Sequence, residues 1–331
     1  DVPMVGYRVI GLGQEIAGAF TPIDGFDRCI GPRRSVLDTA IVGAALDAGA
    51  EGRFGERVVD LIGTGTDDDP VSGVELENGD RINARWVFGA DGRGSTVAGK
   101  LGLRKERPQQ GEIAFLFGYW TGIPDNGYMT LAVREDAVGN RWAIEDGLHI
   151  LIAGGTPDLT KGNGEERHRK YLETLGRLPE LIEPEILEGA ELVTGITVAP
   201  ESLMRGFFRE PVGPGWALLG DACHFKHPST AQGINDAVEQ ALYIAERLSD
   251  ARGSLDDYED WRDGRAAEHY DWSFAWGRFP RPERTGPLFK GWASEPDAGQ
   301  DLRDILSRRV EPSQLMSPER MERWFGAPAR A

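Results

Sequence analysis

The chain has 331 residues, 40% hydrophobic and 27% charged, with a formal net charge of −17. That composition excludes global disorder and leaves room for a large core, while the negative balance argues against nucleic acid or an anionic membrane surface as main partner, since phosphate binding needs clustered cations. Two cysteines, Cys29 and Cys223, exclude a disulfide framework or a cysteine-rich metal centre, and with no apolar run of bilayer length the expectation is a metal-free cytoplasmic protein without integral membrane association.

Residues 5–10 and 26–30 read as short strands separated by Gly- and Pro-containing turns. Between them, Gly11-Leu12-Gly13 imitates a dinucleotide fingerprint, but Ile16 occupies the third glycine position and Pro22 interrupts any following helix. Over 34–48, Val36, Leu37, Ala40, Ile41, Ala44, Ala45 and Ala48 recur at helical spacing, and Gly49 suits the stop. Asn78-Gly79 between 71–77 and 81–83 is a strong hairpin signal. After Gly102 the period shifts to two: Ile113, Phe115, Phe117 and Tyr119 alternate, and 129–133, 141–144 and 148–153 supply further strands of an antiparallel sheet. A polar helical segment at 165–187 follows. Beyond Gly253 the chain reads as packed helices with loops.

Two acidic turns carry the chemistry. In the first, a compact strand candidate at 86–90 ends at Asp91, and Gly92 and Gly94 let backbone approach a ligand closely. In the second, an apolar run from Trp216 ends in Gly220-Asp221, crosses a loop containing Pro228 and enters a small-residue helix at Gln232-Gly233-Ile234-Asn235. A carboxylate beside a helix N-terminus suits a nucleotide: Asp221 can accept from sugar hydroxyls while free N–H groups near Gly233 face negative charge. The helix presents Ile234, Ala237, Val238, Ala241, Leu242, Ala245 and Leu248 on one side. The 130 residues separating Asp91 from Asp221 leave space for a whole inserted domain.

In this order the two turns resemble the Asp-Gly and Gly-Asp motifs of the flavoprotein monooxygenases of the para-hydroxybenzoate hydroxylase fold, and the related geranylgeranyl reductase-like oxidoreductases. The resemblance implies an α/β fold: a Rossmann-like FAD/NAD(P)-binding domain interrupted by an antiparallel β-sheet substrate domain with helices, N-terminally incomplete because the Gly-x-Gly-x-x-Gly unit would precede Asp1. The implied segments are 1–31, strands of the substrate-side sheet; 32–103, the leading stretch of the FAD-binding domain; 104–205, the substrate domain; 206–250, the returning stretch of the FAD-binding domain; and 251–331, C-terminal and helical. It implies FAD as cofactor and NAD(P)H as candidate electron donor. Arg34 matches an Arg that approaches the FAD pyrophosphate; Asp91 and Gly92 match the diphosphate motif; Gly220 and Asp221 match the ribityl motif; and Pro228, Gln232, Gly233, Ile234 and Asn235 match the loop and helix start that meet the flavin ring.

The implied activity is monooxygenation, hydroxylating or epoxidising an apolar or aromatic small molecule. The alternatives are reduction or dehydrogenation of an isoprenoid or polyketide double bond, and a non-catalytic remnant. Ala98 stands where the Asp-Gly motif often has Arg, with Lys100 a substitute, which weighs against direct use of NADPH. His227 precedes Pro228 where related sequences often have Asp. His224 and His227 are acid–base candidates only by proximity, and Tyr119 and Trp120 either face a substrate pocket or fill the sheet core. Taken singly, Asp91-Gly92 reads as a strand-ending turn, and Arg33 and Arg34 equally as solvated cations at a helix start.

Overall fold

The structure, a computed structural model, describes residues 3–199, 201–250 and 253–326. It opens with β1 (Gly6–Gly11) and β2 (Gln14–Ala19), a hairpin whose two-residue turn, Leu12-Gly13, has φ of 50° and 76°. Those left-handed values match the twist of the flanking strands, so the apparent fingerprint is a hairpin turn. In chain order follow α1 (Arg34–Asp47), β3 (Val58–Ile62), β4 (Gly73–Leu76), β5 (Arg81–Asn83), β6 (Val87–Gly89), α2 (Thr96–Lys100), β7 (Glu106–Gln110), β8 (Ala114–Thr121), β9 (Tyr128–Val133), β10 (Val138–Ala143) and β11 (His149–Gly155). Then come α3 (Gly164–Gly176), α4 (Pro184–Gly189), β12 (Glu191–Leu192), β13 (Thr197–Val198), β14 (Arg205–Phe208), β15 (Val212–Gly213), β16 (Trp216–Leu218) and β17 (His224–Phe225). The last helices are α5 (Gly233–Leu248), α6 (Tyr258–Trp276), α7 (Pro282–Ser294), α8 (Pro296–Leu306), α9 (Pro312–Leu315) and α10 (Pro318–Phe325).

Two sequence expectations change. Residues 26–30 form no strand and make only an isolated bridge, Met4 to Cys29. The helical stretch 165–187 divides into α3, opened by a capping box between Asn163 and Glu166, and the short α4. Pro179 and Pro184 explain the break, because each disfavours helical backbone at the residue before it.

By packing, the chain divides into a sheet unit, residues 1–49, 112–204 and 277–331, and a second unit, 50–111 and 205–276. α1 therefore clusters with the sheet unit rather than with 50–103, and the C-terminal stretch divides at Gly277; its residues 251, 252 and 327–331, like residues 1 and 2 of the stretch 1–31, lie outside the described residues. No helix among the described residues is long and apolar enough to cross a membrane.

The sheet unit is built on eight strands ordered β12–β8–β11–β10–β9–β1–β2, with β13 also on β8. All neighbours are antiparallel except β1 and β9, which run parallel. Alternation along the strands sorts two faces. One carries Leu116, Trp120, Leu151 and Ala153 into a core with Tyr171, Leu175, Leu178 and Leu181. The other carries Phe117, Tyr119, Asn140 and Trp142, all only half-buried, with Tyr119 opposite Ile150 and Ile150 opposite Trp142 in register.

His149 on β11 is 4% exposed, and burial, reinforced by the neighbouring Arg141 guanidinium, pushes its pKa down to about 4. The unfolded chain, with an ordinary imidazole near 6.5, binds more protons than the native state between those values. Stability contributed by neutral His149 is therefore complete above pH ~6.5 and lost as pH falls towards 4, by up to about 1.4 kcal/mol per pH unit. In urea titrations from pH 7 to 4.5, His149→Phe is expected to flatten this dependence by close to one proton; equal slopes would contradict it.

The second unit holds three small sheets: β15–β16–β6, β3–β4–β5 and β17–β14–β7. The Asn78-Gly79 hairpin joins β4 to β5, with Gly79 at φ 88°. Val71, Val87, Val97, Ala98, Trp216, Leu218, Ala222 and Cys223 form one core cluster; Phe208, Ala266, Tyr270 and Phe274 form another. Some apolar stripes read from periodicity remain open. α1 buries no residue, and in the second unit Phe88, Ile234, Val238 and Leu242 are exposed along β6 and α5, where Trp86, Phe88, Leu219, Ala241 and Ile244 line a groove of about 580 Å³. No described element covers these faces.

Candidate functional site

β16 lies parallel and adjacent to β6, with Trp216, Ala217 and Leu218 opposite Val87, Phe88 and Gly89. Parallel pairing delivers both chains to the same end of the sheet, so the Asp91 turn and the Gly220-Asp221 turn emerge side by side, the place where α/β sheets bind ligands. Arg209 ties the two turns together: Nη1 donates to the Ala222 carbonyl at 2.7 Å and Nη2 to the Arg93 carbonyl at 3.1 Å. Asp91, Gly92, Gly220 and Asp221 thus lie together within this one unit, whereas Arg34 belongs to the other.

The two carboxylates do different work. Asp91 Oδ2 accepts the Thr96 N–H at 2.6 Å and the Val97 N–H at 3.3 Å, while Ser95 Oγ accepts from Ala98 N–H at 3.0 Å. Asp91 thereby closes its own turn and caps α2. Asp221 is half-buried against the first turn of α5, close enough that a Cβ added to Gly233 would lie 3.6 Å from its Oδ1. Gly220 sits at φ 60°, donates its N–H to Gln240 Oε1 at 2.7 Å, and leaves space for only 3.1 Å between an added Cβ and that of Ala237. Position 220 thus needs glycine for backbone conformation and for helix approach alike.

The loop into α5 is held from below. His227 N–H donates to Ser273 Oγ at 3.2 Å, Ser229 Oγ donates to the Ser273 carbonyl at 2.6 Å, and Ala231 adopts φ 53° before the helix starts. The Gln232 side chain makes no capping hydrogen bond, and the positive end of this 16-residue helix, equivalent to about half an elementary charge, lies near Asp221. Pro228, Ile234 and Asn235 are exposed; Gln232 is buried.

Both candidate histidines lie in the interior. His227 accepts the Ser229 N–H at Nδ1 and packs edge-on against Phe274. His224 stacks on Phe208, meets Gln240 Nε2 at 3.2 Å and approaches Asp236 Oδ2 at 3.3 Å. Neither presents an acid–base group at the surface of the turn. Cys223 is likewise fully buried, its thiol accepting from Arg262 at 2.8 Å and pushed up to about 11 by burial, which removes thiolate chemistry near neutral pH.

Ala98 is 1% exposed inside the cluster around Trp216, where an Arg side chain has no room, and Lys100 points to the surface, 3.4 Å from Asp60. In the sheet unit, Arg34 pairs with Asp38 one helical turn on, at 2.8 Å. The neighbouring Arg33 is fixed by Glu145, which takes its backbone N–H at 3.2 Å and its guanidinium, and by Asp146 at 2.7 Å. Tyr119 lies on the half-open sheet face, but Trp120 turns into the core, donating to Tyr171 Oη at 2.9 Å. Period-two alternation separates them: of the two alternatives, Trp120 takes the sheet core and Tyr119 the opposite face.

Sequence reasoning missed the groups that hold the site. Lys226, 5% exposed, pairs with the equally buried Asp236 at 2.8 Å and reaches Gln232 Oε1 at 3.4 Å. The available signal was a lysine flanked by Phe225 and His227, and an acid in the first turn of a helix whose face is otherwise small and apolar. Two observations fit a ligand at the turns. Thr230 Oγ1 is buried with no partner among the described residues, and Cβ atoms added to Gly92 or Gly94 would meet nothing within 4 Å.

This arrangement, acidic turns on adjacent parallel strands in one unit and a large, mainly antiparallel sheet in the other, is a fold shared with solved flavoproteins. No family model matches the chain. Among individual proteins, it is 27% identical over 214 residues to an FAD-dependent monooxygenase, ntnJ, of Nectria sp., covering 60% of this chain and 48% of that one. It is 24% identical over 225 residues to digeranylgeranylglycerophospholipid reductase 1 of Methanococcoides burtonii, covering 66% and 52%. The chain thus spans about half the length of the curated relatives it matches. A solved flavoprotein/dehydrogenase from Cytophaga hutchinsonii superposes with a TM-score of 0.74 at 17% identity, over 95% of this chain and 78% of that one.

Proposed function

We propose that the chain binds FAD and acts as a monooxygenase on an apolar or aromatic small molecule, with NAD(P)H as ultimate electron source. The observation that carries the reading is the pairing of Asp221 with the start of α5 beside the Asp91 turn. Asp221 would accept from the ribityl hydroxyls, Gly92 and Gly94 would admit the diphosphate, and the α5 N-terminus would face the electron-rich edge of the ring system. A bound flavin supplies the redox chemistry that amino-acid side chains lack. The protein then contributes position and field: a helix end contributes about 0.3–1 kcal/mol to a nearby negative charge, and up to about 2 in favourable partly buried geometry. Phe117, Tyr119, Trp142 and Ile150 offer a mostly aromatic wall of the kind that suits an apolar substrate.

Reduction of an isoprenoid double bond is the second reading, favoured by the similarity to a digeranylgeranylglycerophospholipid reductase over 66% of the chain. FAD titrated into the purified chain should bind saturably, with quenched flavin fluorescence and visible absorption that co-purifies; a colourless protein that never takes up FAD would overturn the reading. Substrate-dependent oxygen uptake then supports monooxygenation, and anaerobic double-bond reduction supports the alternative.

A further inference from the structure

The core face of the large sheet carries a polar patch that the flavin reading does not use. In register, Thr130 on β9 stands opposite Arg141 on β10, and His149 on β11 stands between Ala143 of β10 and Trp120 of β8. Thr130, Arg141, His149 and Trp120 therefore project from one side of the sheet, with Arg141 and His149 as diagonal neighbours. All are buried: Thr130 is 0% exposed, His149 4% and Arg141 6%. Leu151, opposite Arg141 on the same face, is buried as well.

Arg141 is a cation held by carbonyl groups alone. Its Nη1 donates to the Leu181 carbonyl at 3.3 Å and its Nη2 to the Pro124 carbonyl at 2.5 Å. Among the described residues its Nε has no partner and no carboxylate makes an ion pair with it. Neither ring nitrogen of His149 has a partner among the described residues either. The other charges that reach the patch are Arg8, already paired with Glu15 at 2.8 Å, and the exposed carboxylates Asp125 and Glu183. The Thr130 hydroxyl accepts from Asn126 Nδ2 at 3.4 Å. Interior polar groups are normally hydrogen-bonded, because desolvating them without a partner is costly. Three nitrogens on two adjacent buried side chains, one of them a full cation, point to an acceptor of negative charge.

We propose that Arg141 and His149 bind a small monovalent anion, of the size of chloride, inside the sheet unit. Arg141 supplies the opposite charge and the Nε–H donor, and a neutral imidazole can present a second N–H from one of its nitrogens. The guanidinium provides most of the attraction, since an anion beside it offsets part of the cost of burying its charge. A divalent anion would leave net charge in the interior, and the apolar neighbours Trp120, Ala143 and Leu151 offer no further donors on this face except the Trp120 N–H, which Tyr171 takes. The inference stands apart from the flavin reading, because every residue in it belongs to the sheet unit and none to the Asp91 or Asp221 turn.

An anion that binds only the folded chain stabilises it. With potassium chloride replacing potassium gluconate at constant ionic strength, urea unfolding of the full chain should show a midpoint that rises with chloride. The folding equilibrium constant should be about tenfold larger once chloride reaches about ten times its dissociation constant. His149→Phe should abolish this response, and His149→Gln, which keeps an amide donor, should retain part of it. In crystals grown with bromide, an anomalous peak should lie within hydrogen-bond reach of Arg141 Nε and the His149 ring, a measurement that holds even if a variant fails to fold. A water at that position, bromide bound only elsewhere, a midpoint indifferent to chloride, or equal responses in wild type and His149→Phe would overturn the site.

Discussion

Lys226→Met is expected to destabilise the protein by about 3–5 kcal/mol, the cost of leaving a buried charge without its partner. Lys226 and Asp236 are each 5% exposed and 2.8 Å apart. Removing the ammonium leaves Asp236 among His224, Gln232 and Gln240 in a space with little water to solvate it. Asp236 also stands in the first turn of α5, where an unneutralised carboxylate would cancel the positive helix end on which an anionic ligand depends. Lys226 thus serves stability and site potential together. Urea unfolding should show a lower midpoint with unchanged m-value. The double variant Lys226→Met/Asp236→Leu should recover most of the loss, because an apolar pair of similar volume avoids the desolvation of both ions. If the single variant unfolds at the wild-type midpoint, the pair contributes no net stability and this account of the α5 anchor is wrong.

The features that could be read in advance share one property: they are set by local sequence. The Asn78-Gly79 hairpin, the strands feeding Asp91 and Asp221 and the start of α5 near Gly233 follow from periodicity and from residues that tolerate left-handed backbone. What escaped is long-range. That Asp91 caps α2 depends on where the Thr96 and Val97 N–H groups point, which spacing alone does not reveal. Arg209 reads as an ordinary basic residue until β14 brings it between the Ala222 and Arg93 carbonyls. Trp120 and Tyr119 differ by one position, and only the choice of which sheet face receives α3 decides that Trp120 meets Tyr171 while Tyr119 remains half-exposed. His224 and His227 were suggested by nearness to the turn, but β17 and the loop after it run beneath the surface. The stripe on α1 shows the converse: helical periodicity was correct, yet the apolar face lies open. Periodicity identifies a surface that favours burial, and the covering element must come from elsewhere.

Asp221→Ala should weaken FAD binding by about 10- to 100-fold, the 1.5–3 kcal/mol carried by hydrogen bonds to a charged acceptor, with little change in unfolding midpoint. The separation is expected because Asp221 is half-buried, whereas the turn that holds it is fixed independently by Gly220 N–H to Gln240 at 2.7 Å and by Arg209 on Ala222. Removing the carboxylate therefore deletes an acceptor without collapsing its support. Asp221→Asn, which keeps shape and one carbonyl acceptor, should fall between wild type and Ala. Fluorescence titration of FAD into the three proteins measures the series. Identical dissociation constants would remove Asp221 from the nucleotide site, and a parallel loss of FAD affinity and thermal stability would reassign it to holding the turn.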